Sequence, residues 1–189
     1  MTETYLEDGP MSRRRFLGLG IGLGAALALG PAAPALAKLR TDAGRTLAFD
    51  NVHTGERVRV TYWEKGRYLP DALGEINQLL RDYRTGDTID MSTRLLDLLY
   101  TLRSRLDVRR PYQVISGYRS PVTNVALLRS GRDVVENSLH TVGKAIDIRV
   151  PGRRLATVRR AAMSLRRGGV GYYPQAEFVH LDVGRVRYW

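Results

Sequence analysis

Two short stretches of this chain carry histidine and aspartate at positions where they can meet. In Lys144–Val150 the apolar Ile146, Ile148 and Val150 share one face of a strand, leaving Ala145, Asp147 and Arg149 on the other. In Phe178–Val183 the core face is Val179, Leu181 and Val183, so His180 and Asp182 share the opposite face. His140 comes seven residues before Asp147, and a turn at Thr141-Val142-Gly143 would carry it back beside that strand. Two imidazoles and one carboxylate would then converge with a fourth position open to water, which is the composition of a catalytic zinc site. On spacing alone the competing reading is that each histidine only makes a hydrogen bond at a sheet edge. The chain has no cysteine, which excludes a thiolate metal site, a cysteine nucleophile and disulfides.

The elements that must position these residues are legible from periodicity. Leu47-Ala48-Phe49 and Val58–Trp63 flank a polar tip, Asn51–Glu56, and read as a β-hairpin with His53 at its turn, exposed or turn-stabilising. Pro70 to Arg84 carries Leu73, Ile76, Leu79, Leu80 and Tyr83 at helical spacing behind a Pro-Asp start. Ser92 opens a second helix striped by Leu95, Leu96, Leu99, Leu102 and Leu106. Strands are predicted at Tyr112–Ser116, Lys144–Val150, Gly169–Tyr173 and Phe178–Val183. A third helix is predicted at about Arg154–Arg167, ended by Gly168-Gly169. Gly117 to Leu139 is a long connection with one short helix near Val122–Arg129, and connections of that length are uncommon unless functional.

The N-terminus reads as an export signal. Ser12-Arg13-Arg14-Arg15-Phe16-Leu17 leads into a glycine-diluted apolar run that ends in Ala35-Leu36-Ala37, and it resembles the twin-arginine type. The competing reading is an uncleaved anchor, and Met11 offers a second start. Cleavage after Ala37 leaves 38–189 as a single domain. The formal charge of +11 survives it, because three arginines leave with Glu3, Glu7 and Asp8. Outside the cytoplasm such a field favours wall polymers or anionic headgroups over nucleic acid.

Ser138-x-His140-x-x-Gly143-x-Ala145-x-Asp147 resembles the signature of the D-Ala-D-Ala metallopeptidases, the M15 group, whose fold is shared with the hedgehog signalling domain. Glu177-x-x-His180 is similar to that group's Glu-x-Trp-His element, with Val179 in place of the tryptophan. His53-Thr54-Gly55-Glu56, Ser116–Ser120 and Gly168–Pro174 resemble the branch that includes periplasmic murein endopeptidases. The resemblance implies His140, Asp147 and His180 as zinc ligands, Glu177 as general base and Arg119 as the oxyanion-stabilising arginine. A straight last strand would aim Glu177 at the core, so that role requires a bend between Ala176 and Phe178. Asp182, on the face of His180, stays open as the alternative base or as a group that orients an imidazole.

The expectation is an α+β domain, a small and mainly antiparallel sheet with helices on one face and a zinc cleft on the other. It would be a periplasmic monomer acting on peptidoglycan stem peptides, without nucleic acid and without a membrane span once the signal is cleaved. A non-catalytic zinc-containing wall-binding domain and a D,D-carboxypeptidase remain as alternatives. Tyr118, Tyr172 and Tyr173 line a peptide groove or pack in the core.

Overall fold

The computed structural model describes residues 44–131 and 134–189. The predicted signal at 1–37 lies outside them. Among the described residues no helix is long and apolar enough to cross a membrane.

The predicted hairpin forms from β1 (Arg45–Asn51) and β2 (Arg57–Glu64), paired with Phe49 opposite Val58 and Leu47 opposite Val60. Its tip is closed by Asn51, whose Oδ1 accepts the backbone N–H groups of His53 and Thr54, and by Gly55 at φ +74°. The remaining strands are β3 (Arg67–Tyr68), β4 (Tyr112–Ser116), β5 (Ala145–Arg149), β6 (Gly169–Tyr173), β7 (Phe178–Asp182) and β8 (Arg187–Tyr188). All eight join one sheet in the order β3-β2-β1-β4-β5-β7-β6-β8. It is mainly antiparallel as expected, with parallel pairing only between β1 and β4 and between β6 and β8. The sheet is larger than expected, because β3 and β8 are two-residue edge pieces too short to show a period.

Helices α1 (Pro70–Leu79), α2 (Thr93–Leu106) and α4 (Leu155–Leu165) cover one face of the sheet. Ile76 and Leu79 from α1, the whole predicted leucine stripe of α2, and Val158 and Ala162 from α4 meet Ile146, Ile148, Val179 and Leu181 in one core. Each such burial is worth about 1.5–3 kcal/mol. Helix α3 (Pro121–Arg129) departs from the one-face expectation. It adds nothing to that core, buries the polar Thr123 and Asn124, and starts on a Ser120 side chain that accepts from the Thr123 N–H.

Helix α1 stops at Leu79, short of the predicted Arg84. The Leu80 carbonyl, which would continue the helix, accepts instead from the Tyr118 N–H at 2.7 Å. Arg84 N–H turns to the Asp82 side chain, and a Cβ at Gly117 would meet Leu80. The buried Asp82 then takes the backbone N–H and the hydroxyl of Ser120, each at 2.9 Å, and so anchors the loop that carries Arg119. Burial alone would raise the pKa of Asp82, but hydrogen bonds from Thr123, Ser120 and Arg84 hold it below the usual carboxylate value. Its contribution to stability is therefore present above the unfolded-state pKa and is lost as pH falls through the lower folded value.

At the start of α2 Ser92 holds the cap position without a side-chain capping bond; its own N–H donates to Gly143. Helix α4 ends on Arg166 in the left-handed region, ahead of the predicted Gly168-Gly169. Those glycines serve close approach instead. A Cβ at Gly168 would collide with the Asp182 carbonyl, and one at Gly169 with the Asp182 carboxylate.

Candidate metal centre

Strand register assembles the site. Gly171 on β6 pairs with His180 on β7, His180 with Asp147 on β5, and Asp147 with Ser116 on β4. Side chains in such a row point to the same face, here the one away from the helices. His140 arrives on a short 3-10 turn, Leu139–Val142, begun by the Ser138 side chain and ended by Gly143 at φ +65°. The glycine is needed twice, for that φ and because a Cβ there would lie 2.8 Å from the Asp90 carbonyl.

Three atoms meet at the end of this construction. His140 Nε2 lies 3.1 Å from His180 Nδ1 and 3.3 Å from Asp147 Oδ1, and His180 Nδ1 lies 2.8 Å from the same oxygen. Bonds of about 2.0–2.1 Å to one tetrahedral ion would set such ligands about 3.3 Å apart. The far side of each imidazole fixes its tautomer. His140 Nδ1–H donates to the Gly117 carbonyl at 2.7 Å, and His180 Nε2–H donates to Asp182 Oδ2 at 3.1 Å. Neither acceptor can return a proton, so with both rings neutral the two facing nitrogens and the Asp147 oxygen present only lone pairs to one point. Positive charge among the three relieves the repulsion, whether a proton or a metal ion, and two imidazoles with one carboxylate could hold such an ion.

The electrostatics agree. Burial works against a charged His180, but Asp147 and Asp182 outweigh it and push its pKa up to about 9. Burial would raise Asp147, yet the two imidazoles hold it well below the usual range. The cluster thus attracts positive charge strongly.

Asp182 is fully enclosed. Its Oδ1 accepts from the N–H groups of Gly169 and Gly184 and from Arg187, and its Oδ2 from His180 and, at 2.8 Å, from Arg187. Every lone pair is committed to a hydrogen bond within the fold. Asp182→Asn would set an amide against the His180 or Arg187 donors. It should weaken metal affinity about 10–100-fold, measured by competition with a chromogenic chelator.

Glu177 itself has φ +55° in the turn joining β6 to β7, and it is not among the residues that line the cleft beside the cluster. Its carbonyl accepts from Arg149 Nε at 2.7 Å. Its side chain is exposed, with no hydrogen bond or ion pair among the described residues. Arg119 is buried beside the cluster, where Nη1 donates to Asn124 at 3.3 Å and Nη2 lies 3.9 Å from Asp147 Oδ2. Its Nε has no partner among the described residues, and burial lowers its pKa against the pull of Asp147.

These groups open onto a cleft of about 430 Å³, with Arg119, His140, Asp147 and His180 among its lining. Tyr173, Phe178 and Trp189 form an aromatic side, and Val134, Val135 and Asn137 also border it. Tyr173 is thus the groove tyrosine, while Tyr118 and Tyr172 pack against the core. His53 stabilises its turn, stacked 4.1 Å from the Tyr83 ring and donating to the Ile115 carbonyl at 3.0 Å. The sequence reading missed Trp189, Phe178, Arg187 and Asp82. For Asp82 and Arg187 no local signal exists, since both act through residues distant in the fold; the aromatic pairs around Tyr173 were the only available hint for the others.

The geometry is that of a metal-binding cluster facing an open cleft, the layout of a metal-centred hydrolytic site. The chain belongs to the Peptidase_M15_2 family, whose model, described as "Peptidoglycan L,D-endopeptidase MepK", matches residues 39–189. It is 42% identical over 179 residues to the peptidoglycan L,D-endopeptidase MepK of Escherichia coli K12, covering 94% of this chain and 97% of that protein. The MepK of Shigella flexneri matches to the same extent. The probable MepK of Haemophilus influenzae is 39% identical over 179 residues, covering 94% of this chain and 95% of that protein. No solved structure matches the chain.

Proposed function

We propose that this chain is a zinc-dependent peptidoglycan endopeptidase that hydrolyses the L,D amide bond joining diaminopimelate residues of cross-linked stem peptides. The observation that carries the metal reading is the meeting of two imidazole nitrogens and one carboxylate oxygen, 2.8–3.3 Å apart, with both imidazoles hydrogen-bonded from behind. Family membership and the names of the relatives support the substrate and the bond.

His140, Asp147 and His180 would hold the ion, which when bound supplies Lewis-acid activation of water and of the scissile carbonyl. Glu177 takes a proton from the attacking water and returns it to the leaving amine, a cycle one carboxylate can complete. Arg119, which lines the cleft beside Asp147, donates to the carbonyl oxygen as negative charge develops there. Gly117 and Asp182 keep the two rings in the tautomers that ligation needs. Arg119→Met should lower kcat about 10²–10³-fold with KM and zinc content little changed, read by steady-state kinetics on a purified muropeptide dimer.

The proposal extends to the N-terminus, where residues 1–37 act as a twin-arginine signal that delivers the domain to the periplasm as a monomer. A reporter fused behind 1–37 that stays in the cytoplasm would refute the export step, and sedimentation of the mature domain tests the monomer. The activity itself is tested by digesting isolated sacculi with zinc-loaded protein and identifying the products by mass. Loss of dimers linked through two diaminopimelates is expected, and an unchanged muropeptide profile overturns the assignment.

A further inference from the structure

Trp189 occupies an unusual position. It is 44% exposed, yet three of its polar atoms are hydrogen-bonded to the rest of the fold. Its N–H donates to the Val170 carbonyl at 3.2 Å, its carbonyl accepts from the Tyr172 N–H at 3.0 Å, and its indole N–H donates to the Tyr173 hydroxyl at 2.8 Å. The ring stands 5.3 Å from the His180 ring, centroid to centroid, and the Arg187 guanidinium lies 4.9 Å from it. Tyr173 in turn stacks on Phe178 at 4.5 Å. Gly171, the strand partner of His180, is what lets the indole lie this close, since a Cβ there would come within 2.7–2.8 Å of three ring atoms.

An apolar ring left open to water costs free energy, and holding it rigid costs more; a surface built this way repays both when an apolar ligand covers it. We infer that Trp189, with Tyr173 and Phe178, is a preformed platform beside the metal cluster that receives the methylene chain of the diamino acid on the acyl side of the scissile bond. This inference rests on the peptidoglycan endopeptidase reading above. A D-alanine at that place offers one methyl group, whereas diaminopimelate offers three methylenes before its second chiral centre. The platform therefore selects bonds between two diaminopimelates over bonds between D-alanine and diaminopimelate, and Trp189 is a specificity-determining residue. Each methylene moved from water onto apolar surface is worth roughly a factor of four, so covering two or three gives on the order of 10–100-fold.

The test compares wild type, Trp189→Ala, Trp189→Phe and Gly171→Ala on two purified dimers, one linked through two diaminopimelates and one through D-alanine and diaminopimelate. The expected result is a fall in kcat/KM on the first dimer of about 10–100-fold for Trp189→Ala, mainly through KM, with zinc content unchanged. Gly171→Ala, which displaces the ring without removing it, should reproduce that loss, and Trp189→Phe should recover much of it. An unchanged ratio of kcat/KM between the two dimers in Trp189→Ala overturns the inference. Should wild type cleave neither dimer, the endopeptidase reading falls, and a binding arm decides the platform separately. In zinc-loaded Trp63→Phe protein, where Trp189 is the sole tryptophan, the diaminopimelate-linked dimer should change the tryptophan emission saturably. No change at any concentration overturns the platform.

Discussion

Changing Glu177 to Gln should cut kcat about 10²–10⁴-fold while one zinc per chain stays bound, because the amide keeps the side chain's shape but cannot accept the proton of the attacking water. The carboxylate stands in the turn between β6 and β7, exposed and without a partner among the described residues, so the substitution removes no interaction seen there. Thermal unfolding should coincide with wild type. Steady-state kinetics on a diaminopimelate-linked dimer, with metal content measured on the same sample, checks both halves. Wild-type turnover in Glu177→Gln would remove this residue from the mechanism, and Asp182 could not replace it, since its two oxygens already accept five hydrogen bonds.

The second large effect is on the metal itself. Asp147→Asn exchanges the one anionic donor of the cluster for a neutral amide, and the site should lose both stoichiometric zinc and all measurable hydrolysis. His180→Ala should do the same, at a further cost of about 1–3 kcal/mol in stability, because it strips a hydrogen bond from the enclosed Asp182. The pair separates loss of metal from loss of fold. Asp147→Asn is nearly isosteric, so a folded but metal-free protein is the expected product, read by elemental analysis beside circular dichroism.

Much of this site could be read from sequence because one face of the sheet is packed. With Ile146, Ile148, Val179 and Leu181 committed to the core, the two-residue period of a strand left Asp147 and His180 no choice of side. The same rule placed Asp182 on the cleft face, yet it could not show that Gly169, Gly184 and Arg187 close around that carboxylate and turn it from a free acid into a support for His180. Alternation fixes direction and says nothing about what folds over a residue. The end of α1 was illegible for a related reason: the carbonyl of Leu80 and the carboxylate of Asp82 are taken by Tyr118 and Ser120, which lie far along the chain. Trp189 was missed because β8 is two residues long, and nothing in three residues signals that an indole will lie across Gly171 on a neighbouring strand. Local pattern gives elements and faces, whereas long-range hydrogen bonds decide which polar groups remain available for chemistry.

The proposed chemistry requires two imidazoles and a carboxylate to share one ion. X-ray absorption at the zinc edge, on wild type and Asp147→Asn purified without chelator or histidine tag, addresses that claim directly. It should find one zinc per wild-type chain, bound by two imidazole nitrogens and by oxygen at about 2.0–2.2 Å, and none in the variant. Wild-type protein that holds no stoichiometric metal, or a spectrum with a single imidazole, would contradict it.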